Sequence, residues 1–206
     1  MTPTQTRDIR TAITRLFSAY EAHCLAPDDS SLFYTLTSLH SLNDRLSGAT
    51  TIDLHEFTEF VALKALRNLT HHQEEVRANV RVARAPAQSD LIFLCLVRRD
   101  QVERAIQATK PEKWREPTRK ACESVFHWYG PAVNINPALF NLMARIYGRL
   151  EAETLVPEDE ALAFFAESWE RENASQMSHF IDGRLFGRAA DISAMLAALV
   201  ADLPEA

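Results

Sequence analysis

Residues 53–72, DLHEFTEFVALKALRNLTHH, give the clearest indication of the fold and contain an unusual cluster of polar residues. Asp53 stands three residues before Glu56, and this capping-box spacing predicts that a helix starts here. Apolar residues then recur three and four positions apart, as on the buried face of a helix. We therefore predict a long third helix over residues 53–83.

The same periodicity on either side of this stretch predicts a chain built mainly from helices. Leu91–Val97 is a short apolar run that fits either a buried strand or a buried helix. The predicted fold class is all-α, a single helical domain over residues 1–206 with a strand admitted only near residues 91–97. The other helices are expected at about residues 6–24, 31–46, 118–129, 137–152, 157–173 and 189–203, with ends placed to within roughly 2–4 residues.

Composition excludes several classes of protein. The chain has 206 residues, of which 47% are hydrophobic and 24% charged, as in ordinary soluble globular proteins. No apolar run approaches the roughly 20 residues of a membrane span, so no membrane partner is expected. Cys24, Cys95 and Cys122 lie far apart, which favours free thiols and a cytoplasmic location. Because the net charge is −6, RNA binding would require a local basic patch.

The segment Arg67-Asn68-Leu69-Thr70-His71-His72 introduces polar residues into an otherwise apolar helix. At about 100° per residue, Asn68 and His72 continue the sector of Leu54, Phe57, Val61, Ala65 and Val76, so the predicted core stripe turns polar there. Buried polar groups need partners. Asn68 and His72 are therefore expected to satisfy each other and nearby backbone, or to line a pocket or a subunit interface.

From the residues alone, a simple alternative is a core histidine, with Arg67 ion-paired to Glu74 or Glu75. Arg67 lies about 140° around the helix from His72, so a shared site requires the arginine to reach across or a second copy of the chain to complete it. A metal site is not predicted, because adjacent histidines point about 100° apart and no histidine lies four residues from another.

The segment resembles the R-x(4–6)-H motif of the HEPN superfamily, whose all-helical members include ribonuclease toxins and phage-defence effectors. A polar residue such as Asn often follows the arginine in that superfamily, as Asn68 does here. The resemblance implies a HEPN-like bundle over about residues 5–84, with a helical extension over residues 85–206. It also implies that the motifs of two protomers face each other and form a metal-independent site from Arg67, Asn68 and His72.

The chemistry of RNA cleavage suits these residue types. Attack of the RNA 2′-hydroxyl on its own phosphate needs a group that moves protons near neutral pH, and His72 supplies one. Arg67 would stabilise the charge that grows on the phosphate oxygens. Asn68 stands one turn before His72 and would fix the tautomer of its imidazole.

Arg77, Arg81 and Arg84 follow along the predicted third helix at spacings of four and three residues. They predict either a basic ridge that binds an RNA backbone or a solvated face that complements the negative end of the helix dipole. Trp114, in a polar loop with two prolines, is one of several aromatic residues that would either stack on bases or belong to the core.

The predicted function is a metal-independent endoribonuclease of a bacterial toxin or phage-defence system. We expect it to act on RNA as a homodimer, without a cofactor, and to be open to restraint by a regulatory protein. One alternative is a non-catalytic helical module that binds RNA, a nucleotide or a protein partner. Another is an enzyme of different chemistry with a pocket under His72.

Overall fold

The computed structural model describes residues 1–72, 76–84, 91–184 and 189–201, and helices make up most of these residues. The prediction of a mainly helical fold is confirmed. Within these ranges, no helix is both long enough and apolar enough to cross a membrane. The helices are α1 (Pro3–Leu25), α2 (Asp29–Leu46), α3 (Thr58–His72), α4 (Arg99–Ala108), α5 (Arg115–Val125), α6 (Asn136–Ala152), α7 (Glu160–Ala174) and α8 (Ala189–Ala201). The strands are β1 (Ala78–Arg84), β2 (Leu91–Arg98), β3 (His127–Tyr129) and β4 (Ala132–Asn134).

Helices α1, α2, α6 and α7 lie where the periodicity predicts them, with ends that differ by at most three residues. Helix α8 matches the start of the predicted last helix, and residues 202–203 lie outside the described residues. Capping explains two of the starts. The side chains of Thr2 and Asp28 accept hydrogen bonds from the backbone of the third helical residue of α1 and α2, respectively.

The predicted third helix over residues 53–83 is wrong at both ends. Asp53 caps a short 3-10 turn, Leu54–Glu56, by accepting a hydrogen bond from the His55 backbone N–H. Phe57 then adopts an extended conformation, and α3 begins only at Thr58. The helix ends at His72, well before Ala83.

A strand, β1, replaces the last part of the predicted third helix. In residues 76–84, VRANVRVAR, small and β-branched apolar residues alternate with mainly polar ones, a period of two that favours a strand. β1 pairs antiparallel with β2, with Ala78 opposite Val97 and Arg84 opposite Leu91. The apolar run Leu91–Val97 is therefore a strand, which confirms one of the two alternatives drawn from the sequence.

The four strands form one antiparallel sheet in the order β1-β2-β4-β3, so the fold is not purely α. The helix predicted over residues 118–129 is wrong in its last residues, because α5 ends at Val125 and His127–Tyr129 form β3. Gly130, with φ +61°, permits the tight turn from β3 into β4. This pairing places Trp128 opposite Val133.

Helix α3 lies at the centre of the helical packing and contacts α2, α4, α5 and α6. Its buried residues are Phe60, Ala62, Leu63, Ala65, Leu66 and Leu69. A largely buried carboxylate, Glu59, accepts a hydrogen bond from Nε of Arg145 on α6 at 2.9 Å. This ion pair joins the first turn of α3 to α6.

Candidate functional site

Arg67 lies on α3 and faces α2, where it is half-buried beside Leu36, Leu39 and His40. Its Nη1 donates a hydrogen bond to Oδ1 of Asn68 at 3.3 Å. Its Nε is buried and has no hydrogen-bond partner among the described residues. Within the same residues, no carboxylate lies within ion-pair distance of its guanidinium. Arg67 is therefore a cation with unused donor capacity.

The sequence alternative that pairs Arg67 with Glu74 or Glu75 concerns two residues that lie outside the described part of the chain. The observed neighbour on the other helix is an imidazole, not a carboxylate. Burial lowers the pKa of His40, the positive charges of Arg67 and Lys64 lower it further, and Asp44 opposes them. His40 is therefore held neutral over a wider pH range than a free histidine, beside a fixed positive charge.

Asn68 lies on a different side of α3 from the α2 contact. It lines a groove between α3 and α5, together with Val61, Lys64 and Ala65 of α3. We call this the α3–α5 groove. Asn68 is thus half-buried rather than buried, and its carbonyl oxygen is occupied by Arg67. The Arg67–Asn68 hydrogen bond joins the α2 side of α3 to the groove.

The backbone of His72 forms the last residue of α3, one turn after Asn68. The side chain of His72 lies outside the described part of the structure, so the distance between its imidazole and Arg67 is not a structural finding. Because α3 ends there, residue 72 belongs to the last turn, whose backbone carbonyls have no partner within the helix.

The predicted core sector of α3 is wrong. Phe57, Val61 and Asn68 are only partly buried, whereas the fully buried face is formed by Phe60, Leu63 and neighbouring apolar residues. The reason is that α3 packs on several helices at once, so apolar residues surround most of it. The sector that turns polar at Asn68 is the side that faces the groove.

The predicted ridge formed by Arg77, Arg81 and Arg84 on one helix is wrong, because the helix ends before them. Arg77 is exposed just before β1, and residues 81 and 84 belong to β1 at the edge of the sheet. Successive residues of a strand alternate between its two faces, so positions 81 and 84 lie on opposite faces. The three arginines do not form a continuous basic row.

Sequence analysis missed His40 and the lysines of the α3–α5 groove. His40 lies in an ordinary amphipathic helix, and only the packing of α2 on α3 brings it to Arg67. The lysines did leave a signal, because Lys110, Lys113 and Lys120 lie within 11 residues of a chain that has 4 lysines in total. In the described residues, no three His, Cys, Asp or Glu side chains are arranged to hold a metal ion.

Comparisons of the chain with protein-family models, with curated proteins and with solved structures found no match.

Proposed function

We propose that the protein is a metal-independent endoribonuclease of the HEPN type, with a site built on the last two turns of α3. One observation supports it most directly: Arg67 is half-buried, hydrogen-bonded to Asn68, and has no carboxylate partner among the described residues. A guanidinium in this state is suited to bind a phosphate, since its remaining donors match two phosphate oxygens at once.

In the proposed reaction, the 2′-hydroxyl of an RNA nucleotide attacks the adjacent phosphate and the bond to the 5′-oxygen breaks. His72 removes the proton from the attacking hydroxyl, or returns one to the leaving oxygen. Arg67 stabilises the negative charge on the phosphate oxygens in the transition state. Asn68 holds the Arg67 guanidinium at a fixed place beside the groove, so its role is positioning.

A homodimer is part of the proposal. Arg67 and residue 72 lie about 140° apart around a regular helix, which makes it difficult for one chain to bring both side chains to one phosphate. Two copies related by a two-fold axis would each supply the missing group to the other. The cellular setting that fits such an enzyme is a bacterial toxin or defence system in the cytoplasm, with RNA as substrate and a regulatory protein as restraint.

The test is incubation of the purified protein with RNA in the presence of EDTA. We expect the parent to cleave RNA and Arg67→Ala to lose about 10²–10³-fold in rate, the usual effect of removing one transition-state donor. Arg45→Ala is the matched control, because Arg45 is exposed on α2 and pairs with Asp8. RNA binding by the parent without any cleavage would instead favour the non-catalytic module.

A further inference from the structure

The α3–α5 groove is the most basic concave surface in the described part of the chain. It has a volume of about 900 Å³ and lies between α3, α5 and the segment that leads from Thr109 to Trp114. Three lysines line it: Lys64 on α3, Lys110 in the connecting segment and Lys120 on α5. The chain has 4 lysines against a net charge of −6, so three of the four gather at one groove.

The fourth lysine lies beside the same groove. Nζ of Lys113 lies 5.7 Å from the ring centroid of Trp114, which is one of the lining residues. Trp114 is 53% exposed, which is unusual for so large an apolar side chain. The sequence left open whether Trp114 stacks on bases or belongs to the core, and its exposure excludes the core.

Carboxylates only weakly offset the positive charge of the groove. Glu56 is the one acidic lining residue among those described, and its carboxylate lies 4.0 Å from Arg149. Lys120 lies 3.9 Å from Glu116 with both side chains largely exposed, and such surface pairs are worth about 0–1 kcal/mol. The lysine charges therefore remain available to an anionic ligand.

Lys64 is held in place by a neutral partner. Its Nζ donates a hydrogen bond to Nε2 of His55 at 2.8 Å, while Nδ1 of His55 lies 3.0 Å from Oδ1 of Asp53. Hydrogen bonds from His55 hold the pKa of Asp53 below its ordinary value. The imidazole thus fixes the ammonium of Lys64 without placing a carboxylate against it, one turn before Asn68 on the same wall of the groove.

We infer that the α3–α5 groove binds a short stretch of single-stranded RNA and leads it to Arg67. The inference rests on the proposed function for the identity of the strand. Lysines that follow a groove bind successive phosphates, and an exposed tryptophan offers a face on which a base stacks. A volume of about 900 Å³ lies in the range of ligand pockets, roughly 300–1,000 Å³, so it fits part of one strand rather than a duplex.

The direct test is binding of a fluorescent 2′-O-methyl RNA oligonucleotide, which lacks the attacking hydroxyl and so cannot be cleaved. Fluorescence anisotropy would compare the parent with Lys110→Gln/Lys120→Gln and with Trp114→Ala. We expect each variant to weaken binding by about tenfold or more, and the lysine variant to flatten the salt dependence by about 0.7 per lost phosphate contact. The control Arg7→Gln/Arg45→Gln removes two exposed charges from the far side of α1 and α2.

Unchanged binding in both groove variants would overturn the inference, as would an equal loss in the control. Binding of duplex RNA as tightly as single strands, through the same lysines, would overturn the choice of a single strand. These outcomes are independent of cleavage. A parent that binds through the groove but leaves ordinary RNA intact would refute the proposed function alone, and a parent that cleaves RNA with no contribution from the lysines would refute the groove alone.

Discussion

Nη1 of Arg67 lies 3.3 Å from Oδ1 of Asn68, so two neighbouring side chains on α3 are joined by a hydrogen bond rather than pointing apart. Because Asn68 lines the α3–α5 groove and Arg67 faces α2, this bond links the two sides of the helix. A neutral amide at position 68 orients the guanidinium and leaves its charge intact. This property distinguishes an anion-binding arginine from one that serves a structural ion pair.

Asn68→Asp is therefore expected to impair the protein more than Asn68→Ala does. The aspartate has nearly the same shape but places a negative charge beside Arg67, which satisfies the guanidinium and repels a phosphate. We expect RNA cleavage to fall by about 10²-fold or more in Asn68→Asp, with a melting temperature equal to or above that of the parent. Single-turnover cleavage and thermal denaturation would measure the two effects.

Asn68→Ala is the companion variant. It loses only the orienting hydrogen bond, so we expect it to retain more activity than Asn68→Asp. If the aspartate variant cleaves RNA as well as the alanine variant, the charge of Arg67 has no role in the reaction.

Mixed dimers are expected to show whether the site is shared between two chains. Arg67→Ala and His72→Ala should each be inactive alone. When the two variants are mixed under conditions that exchange subunits, a mixed dimer combines Arg67 of one chain with His72 of the other. We therefore expect the mixture to regain activity, up to about half that of the parent if exchange is complete, because one of its two sites is intact.

The rate of RNA cleavage before and after subunit exchange is the measurement. A mixture that stays inactive after exchange, although light scattering shows dimers, would place both groups in the same chain. A monomeric parent that cleaves RNA would exclude the shared site altogether.

His23 is expected to make the protein less stable below neutral pH. Its side chain is fully buried on α1, Nδ1 lies 2.9 Å from Oγ of Ser31, and burial lowers the pKa of its imidazole although Asp28 opposes this. Above the ordinary histidine pKa of about 6.5, both the folded and the unfolded chain are neutral at this position. As the pH falls below that value, the unfolded chain binds a proton that the folded chain resists, so the free energy of unfolding decreases.

The measurement is urea denaturation at pH 7 and pH 5. His23→Gln should lose less stability between these two values than the parent, since it removes the titrating group. His71→Gln, which removes an exposed imidazole from α3, should keep the pH dependence of the parent. Equal pH dependence in His23→Gln and the parent would show that His23 titrates as it does in the unfolded chain.

Periodicity predicted the helices that pack through one face. The buried residues Ile9, Ile13 and Leu16 of α1, and Leu139 and Leu142 of α6, occupy the positions that the stripes indicate. The same reasoning failed for residues 76–84, where a few apolar positions also match a helical spacing. The alternation of two was present there, but the pairing with β2 that stabilises the strand is a contact distant in the sequence.

The candidate site was only partly accessible to sequence reasoning. Arg67, Asn68 and His72 are close in sequence, so their helical spacing could be examined directly. His40 reaches Arg67 from another helix, and Lys64 joins Lys110 and Lys120 only because α3 packs on α5. Such groupings depend on tertiary packing, which local patterns do not encode.

The most direct test of the account is RNA cleavage in EDTA by the parent and by His72→Ala, with His71→Ala as the neighbouring control. We predict that the parent and His71→Ala cleave RNA, that His72→Ala loses about 10²–10⁴-fold in rate, and that both variants keep the melting temperature of the parent within a few degrees. Retention of full activity in His72→Ala would contradict the account, and so would a loss of activity confined to His40→Ala.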